Sequence, residues 1–138
     1  MRVVFDTDVM VAATRSAMGA SRALLVAAAD LRIQLLVSPA LLLEYECVLK
    51  REEHLAAASA RSSDIDVLLD MVAAFAEPVR LNYLWRPQLS DVGDELVLEA
   101  AVNGRADFLV SFNAGDFELG ASRFGLTVCR PVDCLRRI

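Results

Sequence analysis

One histidine, one lysine and three cysteines are all that this 138-residue chain holds of the side chains most used for nucleophilic and soft-metal chemistry. Cys47, Cys129 and Cys134 are odd in number and form no CxxC pair. Neither a disulfide framework nor a Cys/His zinc site assembles from them. His54 lies in the polar stretch "KREEH", which reads as a helix end where a side chain is simply solvated. A histidine so placed does not suit a Ser-His-Asp triad. No apolar run approaches the roughly 18 residues of a membrane span, because Asp30, Arg32, Glu44 and Glu46 interrupt the longest ones. Asp6 and Asp8 likewise break any signal-peptide core. The expectation is a soluble, cytoplasmic chain forming a single domain over residues 1–138.

What the chain does have is apolar material, 56% of its residues, with a mean hydropathy of +0.43. A net charge of −5 argues at first against a nucleic-acid partner, but the acids are unevenly spread. Residues 52–77 carry Glu52, Glu53, Asp64, Asp66, Asp70 and Glu77 against Arg61, whereas the tail carries Arg123, Arg130, Arg136 and Arg137 against Asp133. Lys50 apart, the positive charge is arginine, the residue suited to bidentate phosphate contacts.

Strand and helix periods alternate along the chain. Arg2–Phe5 reads as a strand, Ser21–Leu31 as a helix capped by Ser21, and 33–37 as a strand. Ser38 and Pro39 then suit the N-cap and first position of a helix reaching about Arg51. "HLAAASARSS" reads as a loop or lid. Ser63 to Asp66 has the pattern of a capping box, opening a helix with Ile65, Leu68, Leu69, Val72 and Phe75 on one stripe. "PVRLNY" is a candidate strand, "LWRPQLSDVG" a loop, and Asp94–Asn103 a helix closed by Gly104 at C′. A strand at 107–111, a loop "FNAGDFELGA", a strand "LTVC" and a short helix "PVDCLRRI" complete the chain. Short apolar strands alternating with helices indicate an α/β fold with a parallel sheet, whose ligands bind beyond the carboxyl ends of the strands.

Several acids fall at those ends. Asp6 and Asp8 follow the first strand directly. Glu44 has Ala40, Leu41, Cys47 and Val48 as its helical neighbours; it is either paired by something on an apolar stripe or snorkels from the stripe's edge. Asp94 shares a face with Val97, Leu98 and Ala101 and either caps its helix or, if Asp91 does that, is free to point inward. Asn113 and Asp116 would make an ordinary turn or join the same edge. Asp107 starts its strand at the opposite end and is set aside. Asp6, Glu44, Asp94 and Asp116 each follow a strand at one edge of a parallel sheet, so the four could converge. Two unit charges about 4 Å apart repel by roughly 4 kcal/mol at an effective dielectric near 20. Such a cluster calls for protons or cations, and carboxylate ligands favour Mg²⁺ or Mn²⁺, ions that activate water against a phosphodiester. Without these four acids and Asp8 the formal charge of −5 falls to zero, so the acidity belongs largely to the one cluster.

"VVFDTDVMVAATRSAMGASRALL", "VSPALLLEYECVLKR", "SDVGDELVLEAAVNGRADFLVSFNAGDF" and "FGLTVCRPVDCL" resemble, in order, a PIN domain, and most of all the VapC-like toxins of toxin–antitoxin systems. The resemblance runs from residue 2 to about 135 and is weakest across 52–90. It implies a three-layer α/β/α sandwich around a parallel sheet, with Asp6, Glu44, Asp94 and Asp116 as the acidic, metal-holding quartet. Ser111 and Asn113 match positions where the family has a hydroxyl and a polar residue near the site. Also implied are Mg²⁺- or Mn²⁺-dependent cleavage of RNA, inhibition by a cognate antitoxin protein, and a homodimer. Asp8 departs from the family, which has asparagine after "DT". Two other readings compete. "FDTDV" superficially matches a haloacid-dehalogenase-type phosphatase with Asp6 as its nucleophile, but no lysine follows residue 50 to serve the phosphate. A PIN-like module kept only for binding a protein partner is the other.

Overall fold

Val3, Val4 and Phe5 are fully buried, as befits a strand covered on both faces of a parallel sheet. The computed structural model describes residues 1–82, 89 and 91–138. In it Arg2–Phe5 (β1) is the centre of a five-stranded sheet in the order β3-β2-β1-β4-β5, all strands parallel. The other strands are Gln34–Val37 (β2), Glu77–Pro78 (β3), Phe108–Val110 (β4) and Thr127–Cys129 (β5). Helices flank the sheet on both sides as the sandwich reading expected: Thr7–Arg15 (α1), Ala20–Ala29 (α2), Pro39–Leu49 (α3), Glu52–Ala58 (α4), Ser62–Phe75 (α5), Val92–Asn103 (α6), Ala114–Arg123 (α7) and Pro131–Leu135 (α8). None of the described helices is long and apolar enough to cross a membrane. Chain order runs from β1 outward to β3 on one side and resumes at β4 on the other. The switch point, where ligands of such sheets lodge, therefore lies between β1 and β4.

Several expected elements hold with small shifts. Ser38 caps α3, its Oγ accepting from Leu41 N at 3.1 Å, with Pro39 at the first position. Asp91 caps α6, accepting from Asp94 N at 3.2 Å. Others need correction. Ser21 is not a cap: Gly19 is, and Ser21 lies buried inside α2. The box opening α5 is formed by Arg61, whose backbone N–H donates to Asp64 at 2.8 Å. Gly104 is not the left-handed C′ residue. It ends α6 with φ −82, and Arg105 takes the positive φ of 54. Glycine is needed at 104 for space, since a Cβ there would come within 2.9 Å of Leu36 and Val79 side chains. The first half of "HLAAASARSS" ends α4 and its last two residues open α5, and "FNAGDFELGA" is mostly α7. Gly120, inside α7, serves close packing, since a Cβ there would come within 2.7 Å of the Leu98 side chain. The "PVRLNY" strand reduces to Glu77–Pro78, paired to Leu36 and Val37. Tyr83 and most of the expected loop 84–93 lie outside the described residues.

Candidate functional site

The register of β1 against β4 pairs Phe5 with Val110, so the next residues, Asp6 and Ser111, emerge side by side at the switch point. Asp6 N donates to Val110 O at 2.8 Å and Ser111 N to Cys129 O at 3.0 Å, fixing both backbones. Ser111, fully buried, donates its hydroxyl to Asp6 Oδ2 at 2.6 Å. The other Asp6 oxygen accepts from Thr7 N at 2.7 Å, which makes Asp6 the cap of α1. Asp6 is only 6% exposed. Burial, the largest cause, and the charge of Asp116 hold its carboxyl above the ordinary range, opposed by the Ser111 and Thr7 bonds.

Asp8, two residues on, reaches across to the turn after β4. Its Oδ2 accepts from Phe112 N at 3.1 Å and from Asn113 Nδ2 at 3.0 Å. Its Oδ1 is buried with no hydrogen-bond partner among the described residues. Burial first, then the Asp6 charge, push Asp8 up to about 7. A proton on Asp8 makes it neutral and a donor, which is what the asparagine common in its place would be.

The remaining acids arrive on separate helices. Glu44 projects from the edge of the buried α3 stripe, where Leu41 and Val48 are covered but Cys47 is exposed. Its carboxylate lies against the start of α6: a Cβ on Gly93 would stand 3.1 Å from Glu44 Oε1 and 3.0 Å from Asp91 Oδ1. Asp91 takes the capping role, and Asp94 lines the same open cleft of about 370 Å³ as Asp6, Asp8 and Glu44. Burial and then the charges of Asp6, Asp91 and Asp116 push Asp94 up to about 7. Asp116, exposed in the first turn of α7, does not line the cleft, yet its charge acts on both Asp6 and Asp94.

The sequence-predicted residues thus gather at one sheet edge. Asp6, Asp8, Ser111 and Asn113 form one bonded group, Glu44 and Asp94 stand across the cleft, and Asp116 is at its border. Among the described residues the ion pairs engage other acids (Glu77, Glu46, Asp66 and Asp133) and none of these. Hard oxygen donors, an orphaned buried carboxylate oxygen and acids outside any described ion pair are what a divalent hard cation requires of a site. The set is nonetheless open, for no three His, Cys, Asp or Glu side chains among the described residues already converge as a closed metal-binding group.

Two site features escaped the sequence. Tyr45, fully buried, donates its hydroxyl to the carbonyl oxygen of Phe5. Burial and the charges of Asp6 and Asp8 raise its pKa far above the ordinary phenol range. The available signal was a tyrosine on an apolar helix stripe, whose hydroxyl must find a partner. His54, expected to be solvated, instead is half-buried on the cleft wall beside Arg51.

Comparison with known proteins agrees with the architecture. No curated protein matches the sequence. A chain from the crystal structure of VapBC2 from Rickettsia felis, bound to a DNA fragment from their promoter, superposes with a TM-score of 0.63 at 16% identity, over 94% of this chain and 98% of that one. At that identity the likeness speaks to the fold. The family model of the PIN domain matches residues 2–115. With that match over most of its length, and with acids from four separate segments gathered at the switch point of a parallel sheet, this chain belongs to the PIN domain family.

Proposed function

We propose that this protein is a divalent-metal-dependent endoribonuclease, the toxin of a toxin–antitoxin pair, acting in the cytoplasm as a homodimer. One observation carries the catalytic reading. Asp6, Glu44 and Asp94, brought from the end of β1, from α3 and from the first turn of α6, line one cleft, and none of them forms an ion pair among the described residues. Asp6, Glu44, Asp94 and Asp116 would hold Mg²⁺ or Mn²⁺. Such an ion, when bound, lowers the pKa of water and neutralises charge developing on a phosphodiester. The chain's own part is orientation. Ser111 and Thr7 fix the Asp6 carboxylate, Asp8 holds the turn after β4, and Glu44 is set to orient water at the open side of the cleft.

A phosphatase using Asp6 as nucleophile is disfavoured, because both Asp6 oxygens are engaged, one by Ser111 and the other by Thr7, and no lysine follows residue 50 to serve the phosphate. The antitoxin and the homodimer are carried by family membership.

Cleavage of mixed single-stranded RNA with and without Mn²⁺ tests the proposal. Wild type should cut in a Mn²⁺-stimulated manner, and Asp6→Asn, still folded by circular dichroism, should not. Equal cleavage by the two would end the nuclease reading.

A further inference from the structure

Five carboxylates lining one cleft repel a polyanion, so a nucleic acid needs positive charge nearby to approach it. Among the described residues one wall of the cleft supplies it. Asp6, Asp8, Glu44, Asp91 and Asp94 share the cavity with Arg51 and His54. Arg15, at the end of α1, reaches the neighbouring α4 and bonds His54 Nδ1 through its Nη2 at 2.7 Å. An arginine does not give up its proton, so Nδ1 is the acceptor, and the neutral ring carries its hydrogen on Nε2. One guanidinium thereby fixes both the tautomer and the direction of the imidazole. Although Glu52 and Glu53 follow Arg51 directly, neither Arg15 nor Arg51 forms an ion pair among the described residues. Two exposed arginines left without carboxylates beside an acid-lined cavity are an arrangement that suits an incoming anion.

We propose that Arg15, His54 and Arg51 form a phosphate-binding rim that holds the backbone of single-stranded RNA beside the phosphate being cut. Arg51 supplies charge and a planar donor fork. His54 supplies one directed N–H. Arg15 positions the ring and adds charge behind it. This inference rests on the nuclease reading of the cleft and deepens it by giving the strand a side of approach, from α4 toward α6.

The test is binding, not turnover. Fluorescence anisotropy of a labelled single-stranded RNA is followed in Ca²⁺ over a range of salt. For single strands the slope of log K against log[salt] becomes shallower by about 0.7 for each phosphate that is no longer neutralised. Arg51→Ala should weaken binding about fivefold to tenfold and lose one such increment of slope, while Arg51→Lys regains the increment. His54→Ala and Arg15→Ala should each weaken binding, and the double variant should lose less than the sum, because the pair acts as one unit. Arg32→Ala, on the exposed turn after α2, should match wild type. Single variants that bind like wild type with unchanged slopes overturn the rim. Wild type that binds no RNA overturns both the rim and the nuclease reading. Rim-dependent binding without Mn²⁺-stimulated cleavage upholds the rim and removes the nuclease. Equal rim dependence for single-stranded DNA upholds the backbone contact but overturns its restriction to RNA.

Discussion

The hydroxyl of Tyr45 bonds the carbonyl oxygen of Phe5, and their chain neighbours Glu44 and Asp6 both line the acid cleft. A single buried contact between α3 and the end of β1 therefore sets the spacing of two acids that lie far apart in sequence. Packing alone would hold the helix near the strand, but it would not fix the helix's height along it.

Tyr45→Phe should keep the fold and lose about 1–3 kcal/mol, the cost of a buried carbonyl left without its donor. Urea unfolding measures the loss. The same variant should cut RNA more slowly than its residual stability explains, because Glu44 loses its fixed register against Asp6.

At Gly93 the effect is opposite in character. An alanine suits a helix better than glycine by about 1 kcal/mol, but its Cβ would press on the carboxylates of Glu44 and Asp91. Both are ends of side chains that can move aside. Gly93→Ala should therefore melt close to wild type while cleavage falls about tenfold or more, since small misplacements at a reacting centre are costly. Thermal melts beside cleavage rates separate the two effects.

Asp94 links the site to pH. Its carboxyl stands at about 7 in the fold against an ordinary 3.8. Below the ordinary value it is protonated in both states and imposes no penalty. As pH rises through the interval the unfolded chain releases a proton that the native state keeps, so stability falls, and above about 7 the penalty is complete. In metal-free protein Asp94→Asn should stabilise at pH 8 by on the order of 1 kcal/mol, allowing for solvent screening of a half-exposed group, and by nothing near pH 3. A gain that grows toward acid pH would contradict the assignment.

Asp8→Asn tests whether a neutral group at this position supports the site. The amide oxygen can accept from Phe112 N and Asn113 Nδ2 as Asp8 does, and the amide N–H₂ replaces the retained proton. Cleavage should survive at pH 7 and exceed wild type at pH 8.5, where Asp8 would otherwise be charged. Loss of activity at both pH values would mean that the charge itself is required.

Legibility in the sequence followed the physics of each element. Val3–Phe5 and Leu35–Val37 are apolar because both faces of a central strand are covered, so composition alone reveals them. Ser38, Pro39 and Asp91 cap their helices through contacts within a few residues, which is also local information. The stretch "FNAGDFELGA" read as a loop because its glycines suit turns, whereas Gly120 packs inside α7 against Leu98 and Leu89, which lie distant in the chain. That Asp6, Glu44 and Asp94 meet at one cleft was legible only from their joint placement after predicted strands, since a cap or a turn accounted for Asp94 and Asp116 taken singly. The Asp6–Ser111 bond was not, since the register of β1 and β4 spans about a hundred residues of chain. His54 had no local signal, for its place on the cleft wall depends on α4 turning back toward α1.

Mn²⁺ calorimetry on wild type and on Asp6→Asn, Glu44→Gln, Asp94→Asn and Asp116→Asn tests the central claim most directly, that acids from four segments act as one metal-holding set. Binding to wild type that weakens in all four variants is the predicted result. No Mn²⁺ binding to folded wild type, or binding unchanged by the loss of Glu44 and Asp116, would contradict it.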